Sequence, residues 1–273
     1  MKLKAVLTAA LAGLMALTLC ACGEGQESSK EAQSSAESEQ VQSEASAQEN
    51  SADASTTDDD APAGEPVDAE WFNDAVFVGD SVTLKLSYYA ENGELGDADF
   101  LCAGSLGYNN ALMDLDEEGN VHPTIGSVKY TVDEGVKELG KKKVFIMLGM
   151  NDIGLYGVDG TIDAMYKLTD RILEKTPDAV LYLQSVTPMI EGNTLGNLTN
   201  ESIKEFDEKL KEACKKKNYK YLNVASAVSD ENGNLIYDYC GDPPTEDNPD
   251  GMGLHFTDTG CSKWAEYLKT HVG

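Results

Sequence analysis

Ser81 is the first residue of the chain whose type and surroundings point to covalent chemistry. It follows an apolar run at residues 76–78 and Gly79, a pattern that predicts a buried strand ending in a turn. The next residues have apolar side chains at helical spacing, so Ser81 would stand at a helix N-terminus, where free amide groups stabilise negative charge. Its hydroxyl would be displayed as a candidate nucleophile, although a lone serine before a helix more often only caps it.

Asn151 stands in a comparable place farther along the chain. It follows the apolar run at residues 144–148, in a segment at 149–152 that reads Gly-Met-Asn-Asp. Its side-chain amide offers two N–H donors, which beside a serine nucleophile could hold the oxyanion of an acyl-transfer intermediate. An asparagine in a turn usually binds only its own backbone, so this prediction depends on the pairing with Ser81.

His255 is the candidate general base among the three histidines of the chain. It lies just before a helical pattern at residues 261–270, in a loop rich in glycine and acidic residues. An imidazole within reach of a displayed serine can take its proton. We interpret His122 as a loop residue and His271 as a solvated helix end.

Alternating apolar and helical patterns predict the elements that must position these residues. Short apolar runs typical of buried strands occupy residues 75–78, 144–148, 179–183 and 219–224. Helical patterns lie between them at residues 163–175 and 200–217 and after a Thr131–Glu134 capping-box pattern. The alternation predicts a parallel sheet with helices on both faces, in which ligands bind at the carboxyl ends of the strands. Ser81 and Asn151 would therefore meet at one edge of the sheet.

The three motifs together resemble a known family. Gly-Asp-Ser at 79–81, Gly-Met-Asn-Asp at 149–152 and Leu-His-Phe-Thr at 254–257 look like the SGNH/GDSL family of serine hydrolases, and the resemblance covers roughly residues 75–270. It implies a flavodoxin-like three-layer α/β/α fold with a mostly parallel sheet. It also implies ester hydrolysis through an acyl-enzyme, with Ser81 as the nucleophile and His255 as the base, and without a metal or an organic cofactor.

The resemblance further implies an oxyanion hole with three donors. These would be the Ser81 amide, the Asn151 side chain and the amide of a glycine between the first two motifs. The segment at 103–109 is the best match for that glycine, and we assign Gly107 first and Gly104 second. A glycine there can equally form a tight turn, which is compatible with donating its amide.

The third member of the catalytic group departs from the family pattern. In the family an aspartate commonly stands three residues before the histidine, but this chain has Met252 there. The nearest upstream acid is Asp250, and the flanking glycines at 251 and 253 could let the loop fold back so that its carboxylate reaches the His255 ring. The alternative is a Ser-His dyad with the ring oriented by a backbone carbonyl. We rank Asp250 ahead of the dyad.

Other acidic residues near the motifs are interpreted as structural. Asp80 and Asp152 belong to the first two motifs but are not expected to act as bases, and Asp258 is interpreted as the N-cap of the last helix. The acidic cluster at 242–250 does not match the spacing of a calcium loop. We interpret it as a solvated loop.

The first part of the chain has the pattern of an export signal. Residues 1–21 contain a basic start and an apolar stretch too short to span a membrane, and Leu-Cys-Ala-Cys at 19–22 resembles a bacterial lipobox, with Cys22 as the expected lipid-modified residue. Residues 22–68 are rich in Ser, Glu and Ala and are expected to form a disordered stalk. Residues 69–273 would form the hydrolase domain.

The charge of the chain narrows its partners. Residues 1–22 contain two lysines, and residues 23–68 contain 13 acidic residues and one lysine, so the net charge of −27 leaves −17 for the remaining residues. A surface this acidic repels nucleic acid. Nucleic-acid binding is therefore not expected.

The cysteines leave two alternatives open. Four remain after the signal: Cys102, Cys214, Cys240 and Cys261. Export permits disulfides, and Cys240 with Cys261 is a conceivable pair. Four buried free thiols are equally compatible with the sequence.

The sequence thus leads to an extracytoplasmic, lipid-anchored esterase. We expect a monomer that removes an acyl group, with acetyl as the first choice, from a carbohydrate or cell-envelope substrate. One alternative is a lipase or thioesterase acting on longer acyl chains, which should have a broad apolar groove. Another is a ligand-binding surface lipoprotein that retains the fold without turnover. Hydrolysis and acyl transfer also remain open, because both pass through the same acyl-enzyme.

Overall fold

The structure of the protein is a computed structural model that describes residues 63–273. The predicted signal peptide, the predicted lipidation site at Cys22 and the predicted stalk up to residue 62 lie outside these residues. The backbone N–H groups of Gly64 and Val67 donate to the carbonyl oxygens of Thr270 and Lys269. The folded part therefore begins by Gly64, a few residues before the predicted boundary at 69.

Five parallel strands form the central sheet. The strands of the described residues, in chain order, are β1 Ala75–Gly79, β2 Asp99–Cys102, β3 Thr124–Ile125, β4 Val128–Lys129, β5 Lys143–Met147, β6 Val180–Gln184 and β7 Lys220–Leu222. The sheet has the order β2-β1-β5-β6-β7, and β3 and β4 form a separate antiparallel pair. This is the doubly wound order of flavodoxin-like folds.

Helices cover both faces of this sheet. They are α1 Ser81–Ala90, α2 Val132–Leu139, α3 Ile153–Lys175, α4 Asn200–Lys217, α5 Val224–Val228 and α6 Asp258–His271. α6 packs against α1 and α5, whereas α3 packs against α2 and α4. The predicted three-layer α/β/α architecture is confirmed.

A row of aromatic rings crosses the sheet and holds the strands in register. Phe77 on β1 stacks on Phe145 of β5 with ring centroids 4.6 Å apart, and Phe145 stacks on Tyr182 of β6 at 4.5 Å. Phe100 on β2 extends the row at 5.1 Å from Phe77. Such pairs each contribute about 0.5–1.5 kcal/mol beyond the area they bury. The register pairs the last residues of β1 and β5, so the loops after these strands start side by side.

The elements differ from the sequence prediction in a few places. β2 was not predicted. α3 starts ten residues before the predicted helix, because a first helical segment is joined to the predicted one across a kink at Gly157, which has a non-helical φ of 71°. Thr131 is the N-cap of α2 but makes no side-chain capping bond, so the predicted capping box is wrong there. The last helix has Thr257 as its N-cap, and the predicted cap, Asp258, is its first residue.

The four cysteines of the described residues are all free thiols. Cys214, Cys240 and Cys261 are buried, and Cys102 is half-buried. The conceivable disulfide between Cys240 and Cys261 is therefore not formed. Between residues 63 and 273, no helix combines the length and the apolarity needed to cross a bilayer.

Candidate active site

Ser81 stands where β1 gives way to α1. Asp80 caps this helix, since its carboxylate accepts a hydrogen bond of 2.9 Å from the Val82 N–H. A side chain on Gly79 would overlap the Thr83 side chain, so the turn between strand and helix requires glycine at that position. Ser81 is half-buried, with its hydroxyl available at the carboxyl edge of the sheet.

His255 connects this serine to a carboxylate. Its Nε2 lies 2.9 Å from the Ser81 hydroxyl oxygen, and its Nδ1 lies 2.6 Å from Asp242 Oδ2. An ionised carboxylate only accepts hydrogen bonds, so Nδ1 carries the proton and Nε2 faces the serine as a proton acceptor. This is the geometry of a nucleophile, a general base and an orienting acid.

Asp242 is held in place by the loop that it orients. Its Oδ1 accepts from the backbone N–H groups of Leu254 and His255 at 3.1 and 3.0 Å, and its Oδ2 accepts from Met252 N–H at 3.2 Å. Burial raises the pKa of Asp242, but the hydrogen bonds from the His255 ring and the backbone amides outweigh burial and bring the pKa below its ordinary value. Asp242 is therefore ionised at neutral pH.

The assignment of Asp250 as the orienting acid is wrong. Residues 239–242 run antiparallel to residues 254–257, with Gly241 N–H donating to the His255 carbonyl at 2.7 Å. This pairing brings Asp242 beside the imidazole, and the chain from 243 to 251 loops outward with Asp250 exposed. Because a carboxylate occupies Nδ1, the alternative of a dyad oriented by a backbone carbonyl does not apply either.

Two of the three predicted oxyanion donors, Asn151 and Gly107, are engaged with protein acceptors in this structure. Asn151 Nδ2 donates to the Leu106 carbonyl at 3.1 Å and lies 3.4 Å from Asp80 Oδ2. Gly107 N–H donates to Asn110 Oδ1 at 2.8 Å. A developing oxyanion would have to replace these acceptors, so the roles of Gly107 and Asn151 stay predictions. Gly104, the second choice, is exposed.

Asp152 ties the loop that carries Gly107 to the end of β5. Its buried carboxylate accepts from the backbone N–H groups of Tyr108 and Asn109 at 2.7 and 2.9 Å and from Asn109 Nδ2 at 2.9 Å. A Cβ on Gly107 would overlap this carboxylate. Burial raises the pKa of Asp152, and the hydrogen bonds offset only part of that rise. The expectation that Asp152 is structural agrees with these contacts.

Asp80 is the other buried acid of the site. Burial raises its pKa to about 6, against the lowering effect of its bond to Val82 N–H and of the nearby His255. Its contacts are with the helix cap and with Asn151. It has the position of a structural residue, as expected.

A cavity of about 320 Å³ opens beside Ser81. Met150 and Asn151 lie on its wall, and the remaining lining residues come from the start of α3, from the loop at 195–198 and from residues 252 and 254. None of the lining residues is charged. The nucleophile thus faces a space in which a substrate could bind.

The two remaining histidines lie away from this cavity. His122 is 5% exposed, so it is a buried residue of its loop. His271 ends α6 and stacks on Tyr267. No cluster of three or more His, Cys, Asp or Glu side chains within residues 63–273 is arranged to hold a metal ion.

The chain was compared with family profiles, with curated sequences and with solved structures. The profile of the GDSL-like Lipase/Acylhydrolase family matches residues 77–262. No curated protein sequence matches the chain. Among solved structures, a GDSL-like lipase from Bacteroides thetaiotaomicron is 17% identical with a TM-score of 0.50, and the alignment covers 71% of this chain and 85% of that one.

Two further solved structures are similar. A candidate platelet activating factor from Streptococcus pneumonia is 17% identical with a TM-score of 0.54, covering 75% of this chain and 89% of its own. A candidate acylhydrolase from Bacteroides fragilis is 16% identical with a TM-score of 0.52, covering 71% and 83%. At these identities the likeness to solved structures shows a shared fold.

Proposed function

The chain belongs to the GDSL-like lipase/acylhydrolase family and is a serine ester hydrolase, and from this we propose that Ser81 carries the acyl group during turnover. The observation that supports the proposal most strongly is the continuous path from the Ser81 hydroxyl through the His255 ring to Asp242, with contacts of 2.9 and 2.6 Å. These distances are within the reach required for proton transfer.

Acylation would begin with proton transfer to His255. Ser81 Oγ attacks the ester carbonyl while Nε2 takes the hydroxyl proton, and the Asp242 carboxylate stabilises the imidazolium that forms. The imidazolium then gives the proton to the oxygen of the leaving alcohol, and the acyl group remains on Ser81. A water molecule, activated by the same Nε2, attacks this ester and releases the acid.

The oxyanion of each tetrahedral intermediate would lie at the N-terminus of α1. The Ser81 amide is in the first turn of that helix, where no intrahelical carbonyl can accept its hydrogen. The Asn151 side chain and the Gly107 amide would complete the donor set after leaving their present acceptors. Donors of this kind each contribute about 10²-fold or more to kcat.

The substrate and location extend this proposal. An ester of a carbohydrate or of another cell-envelope component fits an enzyme anchored through Cys22 at the outer face of a bacterial cell membrane. The lipobox-like segment at 19–22 supports the anchor, and the polar, acidic sequence at 22–68 supports a stalk with reach over that surface. We propose that the enzyme works there as a monomer.

The test is hydrolysis of p-nitrophenyl esters by the full chain purified in detergent. Ser81→Ala should lower kcat by about 10⁴-fold or more, and mass spectrometry of the quenched wild-type reaction should find the acyl group on the peptide that contains Ser81. Equal turnover by Ser81→Ala would contradict the proposal. Absence of Ser81-dependent turnover on every ester would favour the ligand-binding alternative.

A further inference from the structure

Met252 stands three residues before His255, at the position of the orienting acid in the family pattern. In this structure it lines the cavity beside Ser81 instead. Asp242 orients His255 from another part of the chain. The Met252 side chain lines the cavity beside Ser81 and is 41% exposed. Because Asp242 supplies the orienting carboxylate, position 252 is free to carry an apolar side chain on the cavity wall.

Most of the cavity wall is apolar, like Met252. Its volume is about 320 Å³, and its polar side chains are those of Ser81, Asn151 and Asn197. The side chains that make up the rest of its wall are apolar: Met150, Leu155, Leu195, Leu198, Met252 and Leu254. An aliphatic group bound there would leave water on contact with these side chains.

Leu155 and Met252 are the apolar side chains of the cavity wall that expose the largest fraction of their surface to water. Leu155 is 78% exposed, in the first turns of α3 before the break at Gly157. It lies on the cavity wall supplied by α3, whereas Met252 lies on the wall supplied by the His255 loop. An aliphatic chain between them would cover both.

The arrangement of the catalytic groups decides which arm of an ester the cavity would hold. The leaving alcohol must take its proton from His255 Nε2, so the alcohol arm lies on the side of the imidazole. His255 does not line the cavity, whereas Asn151, the predicted donor to the carbonyl oxygen, does. The cavity is therefore on the side of the acyl arm.

We infer that this cavity is an acyl-chain subsite, lined by Leu155 and Met252, and that the enzyme prefers an aliphatic acyl group longer than acetyl. The inference rests on the proposed function, because it assumes that Ser81 attacks the ester. It changes the expected acyl group and leaves the alcohol arm free to be a carbohydrate or another envelope component.

The test compares p-nitrophenyl acetate, butyrate, hexanoate and octanoate with the full chain in detergent, below the micelle concentration of each ester. Burial of each added methylene should raise kcat/KM by up to about fourfold, so butyrate should exceed acetate by about tenfold. A second series of acetate esters with methyl to hexyl alcohols should show no such rise.

Two variants and a matched control assign the effect to the cavity. Leu155→Ser and Met252→Ser should each lower the ratio of kcat/KM for hexanoate to kcat/KM for acetate by about fivefold to tenfold. Leu115→Ser is the control, because Leu115 is an exposed leucine, at 44%, that does not line the cavity. It should leave the whole profile unchanged.

The outcomes separate the inference from the function beneath it. Ser81-dependent turnover with acetate preferred, or with the rise following the alcohol series, would overturn the acyl subsite and leave the serine esterase standing. The same holds if Leu155→Ser and Met252→Ser match Leu115→Ser. Absence of Ser81-dependent turnover at every chain length would overturn the proposed function itself.

Discussion

Two loops at the carboxyl edge of the sheet are each held by a buried or half-buried aspartate that accepts backbone N–H groups. They differ in whether that aspartate also binds a histidine ring. The loop at 239–257 is gathered around the Asp242 carboxylate, which accepts three backbone N–H groups from residues 252, 254 and 255. The loop at 104–110 is gathered around Asp152, which accepts two backbone N–H groups and one side-chain amide. In both loops an aspartate carboxylate accepts backbone N–H groups that would otherwise be satisfied by regular secondary structure.

The two loops differ in the remaining donor to the aspartate and in the direction of the pKa shift that results. Asp242 also binds the His255 ring, and its pKa lies below the ordinary value, because the hydrogen bonds from that ring and from the backbone outweigh burial. Asp152 binds only neutral amides, and burial raises its pKa. An aspartate can therefore organise a loop whether its pKa is lowered or raised, but only the one that faces a titratable ring takes part in proton transfer.

The largest effect should come from removing that ring. We expect His255→Ala to lower kcat by about 10⁴-fold to 10⁶-fold. In the His255→Ala background, Asp242→Asn should cost less than about threefold more, because the carboxylate acts on catalysis only through the imidazole. Steady-state kinetics of the two single variants and the double variant measure this coupling.

Additive losses in that cycle would contradict the comparison. They would mean that Asp242 acts on the substrate directly or that its main contribution is to the loop, as for Asp152. Unfolding curves of the same variants in urea separate the two, because a loop effect lowers the midpoint and a catalytic effect does not.

A smaller effect is expected where the other loop meets Asp152. Gly107→Ala places a Cβ against the Asp152 carboxylate, and overpacking of this kind typically costs about 1–3 kcal/mol of unfolding free energy. We also expect kcat to fall by about tenfold, because displacement of the loop moves a predicted oxyanion donor.

Gly104→Ala is the matched control, since a Cβ there has no atom within 4 Å. It should change stability by less than about 0.5 kcal/mol. If the two glycine variants have the same midpoint in urea and the same kcat, the close packing of Gly107 on Asp152 does not matter in solution.

The last predicted effect is on stability alone and concerns Asp80, whose folded pKa of about 6 exceeds its ordinary value of 3.8. The folded state holds this proton more tightly than the unfolded state, so the protonated acid favours folding at low pH and that advantage is lost as pH rises from about 4 through about 6. Asp80→Asn should therefore be more stable than the wild type by about 3 kcal/mol at pH 7.5 and nearly equal to it at pH 4.

Urea unfolding of both proteins at the two pH values measures this difference. Asparagine can still cap α1 with its side-chain oxygen, so the comparison isolates the charge. A difference that is constant with pH, or that grows toward low pH, would show that Asp80 is ionised in the folded protein over this range.

The parts of the site that follow local signals could be predicted from the sequence. The strands before Ser81 and Asn151 contain continuous apolar runs, and a glycine follows each run before the turn, so the predicted edge of the sheet is the observed one. His255 precedes a helix with a regular apolar stripe, and its proximity to Ser81 follows from the resemblance of the three motifs.

The orienting acid could not be found in this way. Asp242 reaches His255 through antiparallel pairing of residues 239–242 with 254–257. The paired stretches are short and irregular, so no hydrophobic periodicity in the sequence predicts this pairing. Distance along the chain favoured Asp250, and the loop geometry favours Asp242. The present partner of the Gly107 amide was missed for a similar reason, since Asn110 reaches it within a short irregular turn.

The role of Asp242 as the orienting acid is tested most directly by the kcat/KM of Asp242→Asn beside that of Asp250→Asn, on the best p-nitrophenyl ester. We expect a loss of about 10³-fold to 10⁴-fold for Asp242→Asn, because the ring loses the partner that fixes its tautomer, and a value within about twofold of the wild type for Asp250→Asn. A large loss in Asp250→Asn with Asp242→Asn near the wild type would contradict it.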